Sequence, residues 1–349
     1  MKLPHIPPRV RVLLQLGGSL ALLAFLISRL DWSRTVELIR GAHPLLLAVV
    51  VLIQTADRVL MALKWHQLLR VLDGRLGRWS AIRVYYESTF IGFALPLGGL
   101  GPDIVRFARL RSQGINPHVT LTSMVVERLN GVVATLALFV VGLAVLAWLA
   151  PQTALRHFAI VSAVLAAVAG TVAAVSMLHP APSRALFKLL KLLKLSAAIE
   201  SARFAKYIEA ARTYAARRAT LVVNLGLSMI EQTAAVFTMW VASHALGAPV
   251  PWLVCLAVAP VAVLFQRLPL TYGGLGLREG SAAALLVALG YDYSAALLLL
   301  MTQFVMFLIS LLPGAIILAM SGRPRFDAPA QVMLRDDLAL NADRPLPRE

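Results

Sequence analysis

Long hydrophobic runs dominate the chain and predict an all-α polytopic membrane protein. Several approach or exceed the roughly 20 apolar residues that a spanning helix needs. We predict about six spanning helices, near 12–30, 44–63, 119–149, 155–178, 219–246 and 294–320. The first run follows basic residues, as in a signal peptide. It is long and lacks a small-residue cleavage site, so we expect a retained helix with a cytoplasmic N-terminus.

Two copies of Gly-Gly-Leu-Gly interrupt this pattern, at 98–101 and 273–276. A glycine-rich break at membrane depth exposes backbone polar groups, which survive only where protein or water covers them. A matched pair of such breaks points to the substrate site of a transporter. The alternative is two ordinary turns outside the bilayer. The predicted turn residues are Pro96, Gly98, Gly99, Gly101, Pro269, Gly273, Gly274 and Gly276.

Charge asymmetry between the loops predicts an orientation. Segments 64–83 and 182–218 and the tail after 320 are rich in Lys and Arg, which the positive-inside rule makes cytoplasmic. The stretch 84–113 follows one basic segment and ends in another, Arg106 to Arg111, so both of its ends should be cytoplasmic. The span 219–246 then runs outward and 294–320 runs inward to the basic tail, so 252–290 should enter and leave on the outer side. We therefore predict two re-entrant helical hairpins, folded at the glycine motifs and entering from opposite faces.

The opposite orientations predicted for the two hairpins also predict an inverted repeat within a single transmembrane domain, 1–320. Its halves are about 44–149 and 219–320, and an offset of 175 residues aligns Gly98 with Gly273. The alternative is chance similarity between Leu-, Ala- and Gly-rich helices. The remaining segments are predicted as a basic amphipathic cytoplasmic stretch, 182–218, and a disordered polar tail, 321–349.

Ionisable residues within or beside the apolar runs are the candidate site. A charge at the bilayer centre costs at least about 2.5–3.5 kcal/mol, so such residues face the bundle interior, pair, or mark a substrate path. The alternatives are structural ion pairs and side chains that snorkel to the interface. Asp57 and Arg58 are adjacent and point about 100° apart, so each is predicted to need its own partner. The candidates are Asp57, Arg58, Asp103, Arg106, Glu127, Arg128, Glu231, Arg267, Arg278 and Glu279.

Composition argues against several other classes. The single cysteine, Cys255, excludes disulfides, and the histidines lack metal-ligand spacing, so we predict neither a metal site nor a cofactor. The net charge of +16 lies largely in membrane-flanking segments and does not indicate nucleic-acid binding. No catalytic cluster or nucleotide motif is visible, so we predict a non-enzymatic protein whose transport is passive or ion-coupled.

Several motifs together resemble those of the lysylphosphatidylglycerol synthase transmembrane family, the flippase-like domain. They are Ala62-Leu63-Lys64-Trp65, the stretch 93–106, Glu127-Arg128 and the stretch 273–279. The resemblance covers about 10–320. The family usually has Gly-Gly-Asp after the first proline, whereas here Leu100-Gly101-Pro102 precede Asp103, which shifts that acid relative to the turn.

The resemblance implies a stand-alone member, without the soluble synthase domain of two-part members, and we predict a lipid transporter of the bacterial inner membrane. We expect a membrane lipid with an anionic headgroup as ligand. Arg106, Arg128 and Arg278 would pair with its phosphate beside free N–H groups of the half-helices. Asp103, Glu127 and Glu279 would hold these arginines or carry a coupling proton. Two alternatives stay open: a membrane enzyme acting on a lipid-linked substrate, and a non-transporting partner of lipid or glycolipid biosynthesis enzymes.

Overall fold

The computed structural model describes residues 8–72, 75–94, 101–150, 152–178, 214, 217–267 and 270–321. All regular structure in these ranges is helical. The helices are α1 Pro8–Ser28, α2 Trp32–Arg40, α3 Pro44–Val71, α4 Arg78–Ala94, α5 Gly101–Ser112, α6 Pro117–Leu149, α7 Thr153–Leu178, α8 Arg218–Ala245, α9 Trp252–Arg267, α10 Leu277–Ala288, α11 Tyr293–Ser310 and α12 Leu312–Ser321. A 3-10 turn, Tyr272–Gly274, lies between α9 and α10.

Length and hydropathy confirm the all-α polytopic membrane class. Within the described ranges, five helical segments are long and apolar enough to cross a bilayer: α3, α6, α7, α8, and α11 with α12. The pair α1 and α2 adds a sixth if it is one span, although it bends by 90°. Asp31 caps α2 at this bend. Helix α2 is amphipathic, and its buried residues are Thr35 and Leu38.

One predicted boundary is wrong. The segment 64–83 was expected to be a basic loop, but α3 continues to Val71 and α4 begins at Arg78. Lys64 is consequently inside a helix and only 1% exposed. The prediction ended the helix too early because it treated Lys64 as a solvent-exposed charge. Lys64 is instead neutralised by Glu231 of another helix, a partner that the local sequence cannot indicate.

The short helices form two packed pairs at the positions predicted for the hairpins. In the first pair, α4 packs on α5, and Arg109 Nε donates to Glu87 Oε1 at 2.8 Å. The helices meet closely where Gly92 lies against Gly101: a Cβ on Gly101 would lie 2.6 Å from the Gly92 carbonyl oxygen. Glycine at both positions therefore permits the close crossing.

The second pair, α9 and α10, is joined through the second glycine motif. Gly273, Gly274 and Gly276 have φ of 60°, 81° and 83°, a left-handed backbone that favours glycine. The motif thus breaks the helix as predicted. Four predicted turn residues (Pro96, Gly98, Gly99 and Pro269), most of the segment 182–218 and the tail beyond 321 lie outside the described residues.

Contacts between helix ends align the bundle. At one end, His43 N donates to the Ala245 carbonyl at 2.7 Å, and Asp31 N donates to Ser294 Oγ at 2.9 Å. At the other end, the Tyr214 hydroxyl donates to the Leu68 carbonyl at 2.8 Å. The long helices α3 and α8 therefore run side by side through the centre of the molecule.

A proline in α9 shapes its contact with α6. Pro260 has no N–H, which leaves the Leu256 carbonyl without its usual helical donor. Gly142 of α6 lies against this carbonyl, so that a Cβ on Gly142 would approach the Leu256 oxygen to 2.7 Å. The missing side chain lets the two helices pack closely.

Candidate functional site

A polar cavity of about 770 Å³ lies in the middle of the bundle, between both short-helix pairs and the long helices α3, α6, α8 and α11. Nine of the ten candidate site residues line it. They are Asp57, Arg58, Asp103, Arg106, Glu127, Arg128, Glu231, Arg267 and Arg278. The tenth, Glu279, is 0% exposed and lies behind Arg278. The structure thus brings candidates from both halves of the chain to one place.

The polar wall on α3 follows helical spacing. Gln54, Asp57, Met61 and Lys64 recur at intervals of three or four residues and all line the cavity. Residues at this spacing share one face of a helix. Sequence reasoning missed Gln54 and Lys64, although their spacing from Asp57 is a signal that could have identified them.

An ion-pair network built around Asp103 occupies the α5–α6 side. Its carboxylate pairs with Arg106 through Oδ1 and accepts from Arg128 Nε through Oδ2 at 2.6 Å. Arg106 Nη1 also donates to Glu127 Oε2 at 2.7 Å, and the Tyr85 hydroxyl donates to Glu127 Oε1 at 3.2 Å. The shifted position of Asp103 relative to the family pattern is therefore still compatible with contact to two arginines.

Arg106 was predicted to pair with a lipid phosphate, but its guanidinium is already held by several side chains of the protein. It is 5% exposed, and its guanidinium carbon lies 4.9 Å from the Trp65 ring centroid and 4.8 Å from that of Tyr85. Two carboxylates and two aromatic faces thus fix one guanidinium. Arg106 is thus enclosed by its partners, whereas Arg128, whose side chain is 40% exposed, is accessible from the cavity.

A second polar seam joins α3 to α8. Lys64 Nζ pairs with Glu231 and donates to Ser228 Oγ at 2.9 Å. Glu231 Oε1 also accepts from Gln232 Nε2 at 3.1 Å. Asn224 extends the seam by donating to the Lys64 carbonyl at 2.9 Å. The predicted site residue Glu231 is therefore engaged by a lysine that the prediction had assigned to a loop.

Arg278 and Glu279 form the wall at α10. Arg278 Nε donates to Glu279 Oε1 at 2.7 Å, and the guanidinium lies 5.5 Å from the Phe304 ring centroid. Gly276 N donates to Glu279 Oε2 at 2.7 Å. The expectation of a free N–H at the start of this half-helix is thus wrong for Gly276, because a buried carboxylate from the same turn caps it.

The adjacent pair Asp57 and Arg58 also differs from expectation. Arg58 Nη2 lies 3.5 Å from Asp57 Oδ2, so the two side chains face each other although they were predicted to need separate partners. The length and freedom of the arginine side chain allow this despite the 100° helical offset. The Arg58 guanidinium also lies 5.3 Å from the Phe307 ring centroid.

Arg267 is the cation with the least neutralisation. It lies at the end of α9, lines the cavity, and forms no ion pair with any other described residue. Its electrostatic neighbours are Glu231, Arg128 and Tyr85. Glu231 is already bound by Lys64, and Arg128 carries the same sign of charge. An unneutralised guanidinium beside another one favours an anion in the space that they share.

The lining carries six cationic and four anionic side chains. With Glu279 behind Arg278, a small positive excess remains. Within the described ranges, no group of three His, Cys, Asp or Glu side chains is arranged to hold a metal ion.

The fold and site define a polytopic membrane protein with a central, charged and slightly cationic cavity. The profile of the family described as the lysylphosphatidylglycerol synthase TM region matches residues 12–314, and the chain belongs to this family. The family is one of membrane proteins of lipid metabolism or transport. No curated protein matches the sequence.

Proposed function

We propose that this protein is a lipid transporter of the bacterial inner membrane that binds a lipid with an anionic headgroup in the central cavity. The observation that carries the proposal is the cavity itself, with six cationic and four anionic side chains inside an apolar bundle. Burying so many charges is costly in a membrane protein and typically marks a substrate path. A volume of about 770 Å³ also suits a lipid headgroup.

The positions of the arginines support an anionic headgroup. Arg128, Arg267 and Arg278 come from three different helices and line the same cavity. Guanidinium groups match the geometry of phosphate oxygens. Because Arg128 and Arg278 already have carboxylate partners, a phosphate would share them or displace an internal ion pair. Such exchange keeps binding reversible, as transport requires.

The two short-helix pairs support alternating access as the mechanism. Each joins two short helices at or next to a glycine motif. The first pair contributes Arg106 to the cavity wall, and the second contributes Arg267 and Arg278. In the proposed inverted repeat they enter from opposite faces, with both chain termini in the cytoplasm. Rocking of one half against the other would then expose the cavity to each leaflet in turn.

Reconstituted vesicles test this proposal. The full chain in liposomes should move a tail-labelled fluorescent phosphatidylglycerol between leaflets faster than protein-free liposomes do. Arg128→Ala and Arg278→Ala should slow this movement, whereas the control Arg34→Ala, at an exposed surface pair, should not. Equal rates with and without protein would overturn the transport function and favour a non-transporting biosynthetic partner. Normal rates in both cavity variants would overturn the site.

A further inference from the structure

We propose that Asp57 is a protonation site, and that one proton enters the cavity together with an anionic phosphodiester headgroup. This inference rests on the lipid-binding function proposed above and assigns its coupling ion. It also moves the coupling role from the acids expected from the sequence, Asp103, Glu127 and Glu279, to a different carboxylate.

Asp57 has weaker partners than any other carboxylate at the site. Asp103, Glu127, Glu231 and Glu279 each accept a charge-assisted hydrogen bond from arginine or lysine. Asp57 has only the 3.5 Å contact with Arg58, and its Oδ1 atom is buried without a hydrogen-bond partner among the described residues. A buried, poorly paired carboxylate is costly when ionised, and protonation removes that cost.

A second unsatisfied acceptor lies one helical turn away. Gln54 Oε1 is also buried without a partner within the described structure, and it shares the cavity face of α3 with Asp57. Rotating the amide does not help, because Gln54 Nε2 donates to the Gln303 carbonyl at 3.2 Å and the exchange would set two oxygens together. Two acceptors cannot satisfy each other, but a protonated Asp57 becomes a donor that Gln54 can accept.

The charged side chains around Asp57 do not neutralise its carboxylate in place of a proton. On α3 itself the charged neighbours are Arg58 and Lys64, and from α8 the neighbour is Glu231, which raises the cost of a negative Asp57. Lys64 is bound to Glu231 and is therefore not free to neutralise Asp57.

The other helices packed against α3 provide no nearer cation. From α4, Tyr86 faces Asp57, but its hydroxyl donates to the Thr55 carbonyl. From α11, the facing side chains are the uncharged Gln303 and Phe307. Glu127 and Arg128 of α6 are engaged in the Asp103 network on the α5–α6 side. Arg58 is thus the counter-charge of Asp57.

Protonation would change how the cavity holds an anion. It frees Arg58 from its carboxylate and raises the positive excess of the lining by one charge. An anionic headgroup should then bind more tightly to the protonated form, and by linkage its binding should draw in a proton. A singly charged lipid and one proton would cross without net charge, so the membrane potential would not oppose their movement.

Calorimetry with dihexanoylphosphatidylglycerol tests this coupling in the purified full chain in maltoside detergent. Titrations near neutral pH in two buffers of different ionisation enthalpy count the protons taken up. The phosphodiester does not titrate there, so any uptake belongs to the protein. We expect uptake approaching about one proton per lipid, and affinity that rises on acidification by up to about tenfold per pH unit. Asp57→Asn should abolish the uptake and the pH dependence, and the exposed control Glu37→Gln should retain both.

Infrared spectroscopy tests whether Asp57 is protonated without the need for a lipid. A protonated-carboxyl band that titrates in the wild type and is absent from Asp57→Asn is expected. Gln54→Met, which removes the hydrogen-bond acceptor, should move the titration of that band to lower pH. This variant provides the test if Asp57→Asn does not fold. Lipid binding without proton uptake, together with an unchanged band in Asp57→Asn, would overturn the coupling and leave lipid binding intact. If dihexanoylphosphatidylglycerol does not bind, the proposed function fails. The infrared comparison then decides the protonation site alone: loss of the band in Asp57→Asn supports it, and an unchanged band overturns it.

Discussion

Lys64 and Glu231 form a buried ion pair that joins α3 to α8 across 167 positions of sequence. Their side chains are 2% and 8% exposed, and Ser228 and Gln232 complete their hydrogen bonds. This pair links two long helices that both contribute to the polar cavity wall. It also leaves Arg267, the other cation near Glu231, available to an outside anion.

Breaking this pair from one side should be strongly destabilising. Lys64→Met or Glu231→Leu alone leaves an uncompensated buried charge, and we expect each to lower the free energy of unfolding by about 3–5 kcal/mol. The double variant removes both charges and should recover most of that loss. Thermal unfolding of the four proteins in detergent measures the cycle. Additive losses in the double variant would contradict the pairing.

Arg267 is predicted to be a lipid ligand that contributes little to folding. Arg267→Ala should weaken binding of dihexanoylphosphatidylglycerol by about 10- to 100-fold, the range of a hydrogen bond to a charged group. Arg267→Lys should restore part of the affinity, since an ammonium lacks the planar fork. Calorimetry measures the affinity, and the melting temperature serves as the control. An unchanged affinity, or a large fall in melting temperature, would show that Arg267 has another role.

The contact between Gly142 and Leu256 should not tolerate a side chain. A Cβ at Gly142 would lie 2.7 Å from the Leu256 oxygen and 3.0 Å from Pro260 Cγ. We expect Gly142→Ala to cost about 1–3 kcal/mol through overpacking. The matched control is Gly226→Ala in α8, where nothing lies within 4 Å of the new Cβ, and which should be neutral or stabilising. Equal melting temperatures of the two variants would refute the close approach.

The inverted topology predicts opposite exposure for two surface positions. Gln113, after α5, should face the cytoplasm, and His244, at the end of α8, should face the other side. Each is exposed, so a cysteine there should react with a membrane-impermeant maleimide from one side alone. The buried Cys255 is replaced by serine to remove background. Labelling of both positions from the same face of intact cells would contradict the predicted orientation.

The hydrophobic pattern predicted the spans well because a helix in lipid satisfies its own backbone and depends little on its neighbours. Helix α6, predicted at 119–149, is Pro117–Leu149, and α8, predicted at 219–246, is Arg218–Ala245. The second glycine motif was predicted as a break for a similarly local reason: three of its residues adopt a backbone that favours glycine.

The sequence by itself determined which ionisable residues are too costly to face lipid, and these include every charged side chain of the cavity lining except Lys64. Only the tertiary structure decided their partners. Lys64 became a buried partner of Glu231, Glu279 capped its own helix, Asp57 was left with Arg58, and Arg267 remained unpaired among the described residues. The physical reason is that the cost of burying a charge belongs to one residue, whereas its neutralisation depends on helices that meet through packing between distant parts of the chain.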